Sequence, residues 1–154
     1  MKYFFKDIEN QKKLKRILKE WEGTPYRHWS GVKQGGCDCI HFVVKVLEEF
    51  GFGPFKIQKY PRDWHLHRDE ERLLNGIRIA LNGKVEEYKE RKDALVIPIN
   101  GDIILYQFGK VISHAGIYFD NHVYQSLNNI GIQKRKWADK TWYKRMKYIH
   151  RLLA

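Results

Sequence analysis

Cys39 follows Asp38 at the point where an amphipathic pattern begins, and this pair is where chemistry enters the chain. Asp38 is a natural N-cap for a helix running to about Phe50. Cys39 then occupies the first turn, where unpaired backbone N–H groups and the positive end of the helix dipole stabilise a thiolate. That is how a nucleophile is prepared, although a cysteine on such a face also serves as a small core residue. A cysteine nucleophile needs a base and a group that orients the base. His114 is the candidate base, since it opens a strand-like run and is followed by Ala115-Gly116, where small residues permit close approach. Asp120-Asn121 reads as a two-residue hairpin turn, because both residue types tolerate positive φ. With that turn Phe119 pairs with His122, and Gly116 with Gln125. His114, Gly116 and Tyr118 then share a face with Val123 and Gln125, while His122 points the other way. Gln125 is thereby placed to hold the His114 ring, fixing tautomer and orientation without a carboxylate's charge. A turn one residue longer would invert the parity and bring Ser126 or Asn128 instead.

The elements that must carry these groups follow from periodicity. Asp7 to Trp21 is expected to be helical, with Ile8, Leu14, Ile17, Leu18 and Trp21 recurring at helical spacing and Gly23 and Pro25 ending it, so residues 1–22 form an N-terminal helix. Tyr26 to Cys37 reads as a loop. The helix capped by Asp38 carries Ile40, Val43, Val44, Leu47 and Phe50 as its apolar stripe and stops at Gly51. Residues 60–93 are read as a helical insert with a helix from Asp69 to Ala80, its Leu73, Leu74, Ile77 and Leu81 facing inward. The eight bases and eight acids between Arg62 and Asp93 suggest a salt-bridge-laced surface helix. From Ala94 the pattern becomes that of short strands: Leu95 to Ile97, Ile103 to Phe108, Ala115 to Phe119, Val123 to Leu127, and Tyr148 to Leu152. Helices first and strands afterwards predict an α+β fold, with N-terminal helices packed on a central antiparallel sheet.

Composition narrows the class. The 154 residues suit one domain, and 43% apolar with 14% aromatic content is enough to build a core, which argues against disorder. No apolar run approaches the roughly 20 residues of a bilayer-spanning helix. The charged start gives no secretory signal, so synthesis in the cytoplasm is expected. Cys37 and Cys39 are separated by one residue, which leaves little room for an unstrained disulfide. A zinc site would need His65 and His67 beside these cysteines, yet His-x-His shares a face only in a strand and Trp64 to Asp69 reads as a helix approach. No metal or cofactor is expected. His41 is expected at an exposed helix position, with lining of the cleft as the alternative. Net charge is +11, and Lys134 to Arg151 holds eight bases and one acid, interleaved with Trp137, Trp142, Tyr143 and Tyr148. Two readings of that stretch stand: a surface for an anionic polymer, or a solvated basic strand or helix whose aromatics complete the core.

Four short motifs occur in order: Gly23-Thr24-Pro25-Tyr26-Arg27; Gly36-Cys37-Asp38-Cys39 opening a helix; Asn100-Gly101-Asp102-Ile103; and Ser113-His114-Ala115-Gly116-Ile117-Tyr118. Together, over Gly23 to Leu127, they resemble the NlpC/P60 family of papain-like cysteine peptidases. The resemblance implies Cys39 as nucleophile with Cys37 a bystander, His114 as base and Gln125 as the third polar residue. It further implies Tyr26 as a contributor to the oxyanion site or substrate grip, and Gly101-Asp102 as a structural turn. Cys39, His114, Gln125 and Tyr26 are therefore the expected catalytic set. The chain departs from the family pattern at Ile40-His41, where Ser-Gly is usual, and at His28-Trp29-Ser30-Gly31, a loosened Arg-Trp-Gly-Gly. The segment from Tyr60 to Leu74 is similar to that of phage-tail-associated members.

What the resemblance implies is a thioester acyl-enzyme route to hydrolysis of bacterial cell-wall stem peptides, often at the γ-D-glutamyl to diamino-acid bond. Peptidoglycan stem peptides, and phage-tail proteins if the likeness of the insert carries weight, are the implied partners. Action at the wall or within a virion is the implied place. Three other readings compete: a basic nucleic-acid-binding module, for which no recognition motif is present; a structural tail component of the same fold with little activity; and an acyltransferase in which an amine replaces water.

Overall fold

The computed structural model describes residues 2–57, 71–90 and 97–154. After a short 3₁₀ turn at Phe4–Lys6, Asp7 caps helix α1 (Ile8–Trp21), its Oδ1 accepting from Glu9 N at 2.8 Å and Asn10 N at 3.2 Å. Leu14, Ile17, Leu18 and Trp21 are buried as expected, but Ile8 is 61% exposed. It stands one residue past the cap, before the helix reaches the core. The expected loop from Tyr26 to Cys37 contains a small hairpin, β1 (Gly31–Val32) with β2 (Gly36–Cys37). Helix α2 (Cys39–Glu48) buries Cys39, Phe42, Val43, Val46 and Leu47. Its inward face is therefore rotated from the expected stripe: Ile40 and Val44 are only half-buried, because Phe42 packs against Trp21 of α1 with ring centroids 6.0 Å apart.

Helix α3 (Arg72–Ala80) lies where a helix was expected and buries Leu73 and Leu74. The helical reading of 60–93 fails beyond it, since Val85–Lys89 is a strand, β3. Its charges serve contacts between elements rather than along a helix: Arg78 Nε donates to Glu87 at 2.7 Å, and Lys2 Nζ lies 2.7 Å from Glu86. The expectations for Trp64 to Asp69, for His65 and His67, and for a strand at Leu95–Val96 lie outside the described residues. Ile97 belongs to no strand and is 71% exposed.

The remaining strands are β4 (Ile103–Phe108), β5 (Val111–Phe119), β6 (His122–Leu127), β7 (Gly131–Lys136) and β8 (Met146–Leu152), with a one-turn helix α4 (Lys140–Tyr143) before the last. They form a six-stranded sheet in the order β3-β8-β4-β5-β6-β7, with every neighbouring pair antiparallel. This is an α+β fold. Strand β7 and α4 were not placed individually, only as the basic strand or helix expected over Lys134 to Arg151. The end of β7 and all of α4 lie in the basic segment, whose Trp137 and Trp142 pack on the core while Lys134, Lys136, Lys140, Lys144 and Arg145 are exposed.

Strand alternation divides the core in two. Ile103, Leu105, Ala115, Ile117, Phe119 and Ile132 face the helices. Ile104, Tyr106, Tyr118, Val123, Met146 and Ile149 form the other face, with Phe108, Trp137 and Trp142 packed against them. The β5–β6 turn is the two-residue hairpin expected, with φ of 48° at Asp120 and 61° at Asn121, and it pairs Phe119 with His122 and Tyr118 with Val123. One irregularity matters for the site. Between Tyr106↔His114 and Gln107↔Ile112 the register of β4 and β5 shifts, leaving Ser113 as an extra residue beside His114. Such a bulge bends its strand and re-aims the neighbouring side chains.

Candidate active site

The N-terminus of α2 is held by one carboxylate. Asp38 Oδ1 accepts from His41 N at 2.8 Å, and Oδ2 accepts from Trp29 N at 2.8 Å. Its backbone carbonyl receives Phe42 N at 3.0 Å, and its N–H donates to Ser30 O at 3.0 Å. A cap so tied leaves the amides of Cys39 and Ile40 without helical partners, and both donate to the Cys39 sulfur. The thiol lies against the backbone of β5 on either side of His114. Sγ is 3.9 Å from Ser113 O, the carbonyl of the extra residue, and it accepts from Ala115 N. The bulge thus supplies the wall against which the sulfur sits.

His114 is fixed from its far side. Nε2 lies 2.6 Å from Gln125 Oε1, and an amide oxygen can only accept, so Nε2 carries the proton and Nδ1 keeps its lone pair. The two side chains meet on the face that hairpin parity assigns them. Gly116 is required between them, because a Cβ there would lie 2.6 Å from Val123 Cγ1 and 2.8 Å from Tyr124 O. Three aromatic rings enclose the imidazole: Trp142 at 5.4 Å between centroids, Tyr106 at 5.7 Å and Phe108 at 6.0 Å. Trp142 also stands edge-on to both Tyr106 and Phe108, so α4 closes this cage.

Electrostatics follow from the enclosure. Burial pushes the Cys39 thiol up to about 12, with the Asp38 charge adding to it and the three amides pulling the other way. Burial lowers His114 to about 4, against the opposing hydrogen bond from Gln125. At neutral pH the pair therefore rests as thiol and neutral imidazole. The helix dipole and N–H groups moderate the sulfur's desolvation but do not overcome it.

Tyr26 is half-buried and bridges by its backbone to Cys37, with Cys37 N donating to Pro25 O at 2.9 Å and Arg27 N to Cys37 O at 3.2 Å. The Gly-Thr-Pro-Tyr turn is thus fastened to the residues just before Cys39. Cys37 is fully buried with its Sγ donating to Asp38 O at 3.1 Å. Ser126, the alternative partner for His114, instead donates to Cys37 O at 2.6 Å. Trp142, Tyr106 and Phe108 were missed as site residues. The aromatic interleaving of the basic segment was visible, but nothing local tied it to His114.

Residues 23–151 match the profile of the NlpC/P60 family. The chain belongs to the NlpC/P60 family. Among solved structures, a lipoprotein-like NLP/P60 family protein from Staphylococcus aureus aligns with 96% of the chain at 18% identity and a TM-score of 0.60. The NlpC/P60 domain of the peptidoglycan hydrolase SagA aligns with 91% of the chain at 12% identity and a TM-score of 0.54. The chain covers 43% of the staphylococcal protein and 97% of the SagA domain. These identities speak for the fold. No curated protein matches the sequence. The profile reaches past Leu127 to residue 151, taking in β7, α4 and most of β8.

The departure of this NlpC/P60 chain at Ile40-His41 has a structural consequence. His41 is not the exposed residue expected: its Nδ1 lies 2.8 Å from Asp38 Oδ1 and its ring meets Trp29 edge-on at 4.8 Å. The helix position was read correctly, but the carboxylate three residues earlier draws the ring back onto the cap. His41 and Trp29 thereby tie the second departure, His28 to Gly31, to the first. His150, another of the histidines weighed for metal, is buried with Nε2 2.8 Å from Glu87.

Proposed function

We propose that the protein is a cysteine endopeptidase or amidase that hydrolyses amide bonds of peptidoglycan stem peptides through Cys39, His114 and Gln125. The observation that carries this reading is the seat of the Cys39 thiol, in the first turn of α2 and against the β5 backbone flanking His114, whose Nδ1 is left as the free base by the Gln125 bond. The peptidoglycan hydrolase named among the structural neighbours supports the substrate class.

From a neutral resting pair, the Cys39 proton passes to His114 Nδ1 as sulfur attacks the amide carbonyl and the C=O electron pair moves onto oxygen. The amides of Cys39 and Ile40 are the donors at hand for that oxyanion, with Tyr26 as a further contact. Collapse breaks the C–N bond, and Nδ1–H passes its proton to the leaving amine. A water that gives its proton to Nδ1 then cleaves the thioester, returning acid and thiol. Gln125 holds the imidazole plane through both halves.

The test is mass spectrometry of defined stem peptides incubated with the protein. Cleavage is expected to fall by three or more orders of magnitude in Cys39→Ser and His114→Ala and to persist in Cys37→Ser. Absence of cleavage of every peptide, with the Cys39 thiol also inert to iodoacetamide at neutral pH, would overturn the proposal in favour of a structural or binding role. The phage-tail reading rests on residues 60–74, of which only 71–74 are described, and no further observation supports it.

A further inference from the structure

Glu71 occupies the N-cap position of α3, yet its side chain does not cap its own helix. Its carboxylate crosses to the sheet and takes the backbone N–H of Ile112, with Oε1 at 3.2 Å and Oε2 at 3.4 Å. An acidic side chain at a helix start is ordinarily drawn to the orphan amides of the first turn. Here a backbone donor 41 residues later in the chain has won it.

The sheet shows why that donor needs an outside partner. Residues directly opposite in an antiparallel pair either exchange both backbone bonds or turn both away. Gln107, opposite Ile112, gives its N–H to Arg145 O at 2.8 Å, on the β8 side, so Ile112 points its own N–H away from β4. The pairing of β5 with β6 runs from Ile117 to Phe119, and among the described residues no strand meets β5 on that outer side at Ile112. A cavity of about 550 Å³, lined by Glu71, Leu74, Gln107 and Ile112 among others, opens between α3 and the strand ends. Packing therefore leaves this end of α3 to be tied to β5 by Glu71. A water entering the cavity could meet the Ile112 N–H but could not fix where the strand lies.

Ile112 is the residue next to the bulge. Ser113 Oγ donates to Phe108 O at 3.3 Å, Ser113 O faces Cys39 Sγ at 3.9 Å, and Ala115 N donates to the same sulfur. His114 lies between these two contacts, so a shift of the strand at Ile112 displaces the wall of the thiol and the imidazole together. We propose that Glu71 is a positioning residue: by holding the Ile112 N–H it fixes the bulge of β5, and with it the approach of His114 to Cys39. The kinetic consequence rests on reading the chain as an amide hydrolase, whereas the geometry itself is independent of turnover.

Substitutions at Glu71 separate this role from helix capping. Glu71→Gln keeps an acceptor oxygen at the same reach, Glu71→Asp shortens the reach by one methylene but is the better N-cap, and Glu71→Ala removes both. With the Ile112 contact in control, kcat on a cleaved stem peptide falls about tenfold in Glu71→Asp and Glu71→Ala with KM within about twofold, while Glu71→Gln keeps about half of it or more. Capping alone would reverse the order of Asp and Gln. Alkylation of Cys39 by iodoacetamide, in a Cys37→Ser background, reads the same geometry without turnover. At neutral pH it should slow about fivefold in the Asp and Ala variants, because the Ala115 N–H is one of the groups that favour the thiolate, and stay within about twofold in the Gln variant. Amide correlation spectra establish that each variant is folded and report the upfield shift of the Ile112 proton when its acceptor is lost. Equal losses in Gln and Ala, a loss in Asp no larger than in Gln, or an alkylation rate indifferent to all of them overturns the positioning role. Absence of cleavage by the unsubstituted protein, with alkylation still ordered Gln above Asp and Ala, would sink the hydrolase reading and leave the role of Glu71 standing. Cleavage with no such order would do the reverse.

Discussion

Replacing Trp142 by alanine removes the nearest of the three rings around His114 and leaves the Cys39, His114 and Gln125 side chains intact. The imidazole sits at about 4 rather than 6.5 because burial disfavours its charged form, with Trp142, Tyr106 and Phe108 at 5.4, 5.7 and 6.0 Å. Opening one side to water should relieve between a third and a half of that effect, which brings His114 to about 4.8 to 5.2. In the native protein about nine-tenths of His114 is then neutral at pH 5, whereas in Trp142→Ala about two-fifths to three-fifths is, so kcat/KM at pH 5 relative to its plateau should fall about 1.5- to 2.5-fold. The acidic limb of the pH–rate profile reads this directly, and the His114 ring resonances in a pH titration read it without substrate. A merely structural role for Trp142 would lower the plateau and leave the limb where it was. If the limb stays near 4 in a folded Trp142→Ala protein, the aromatic cage does not set the basicity of His114.

Further outcomes follow from the same contacts. Asp38→Ala should cost about 2–4 kcal/mol in denaturant unfolding, because it removes a cap and strands the amides of Trp29 and His41; Asp38→Asn should recover much of it, and equal losses would contradict the capping account. Global stability should fall as pH drops from about 6.5 to about 4, since across that window the unfolded chain takes up a proton that His114 refuses while folded. The full difference amounts to about 3 kcal/mol at the acid end. His150, lowered by burial, adds in the same direction. Urea unfolding at stepped pH should show that slope, shallower in His114→Gln; an unchanged slope in the variant would remove His114 from the linkage.

The candidate site was legible in the sequence where local rules act. An aspartate before an amphipathic run caps it, and a cap puts the next residue in the first turn, so the place of Cys39 follows from two adjacent side chains. Asp120-Asn121 sets a two-residue turn, and strand parity then carries Gln125 to the face of His114. Those inferences need only dihedral preferences and the period of a strand. The same reasoning failed at Val85–Lys89, whose charges read as helical: its partner is β8, about sixty residues later, and pairing at that separation has no local signature. His41 shows the same limit on a smaller scale, its helix position foreseen and its hydrogen bond to Asp38 not.

By itself, then, the sequence determined the helix that Cys39 opens, the hairpin that aligns His114 with Gln125, and the α+β order of elements. The tertiary structure decided the rest. It inserted β8 between β3 and β4, rotated the buried face of α2 toward Trp21, and left Ser113 as the bulge beside His114. It also folded α4 back so that Trp142 lies over the imidazole. The protonation state of the pair belongs to this second group. A helix start and a nearby histidine suggest a thiolate, but burial opposes charge more strongly than the dipole favours it, and burial comes from residues far away in the chain.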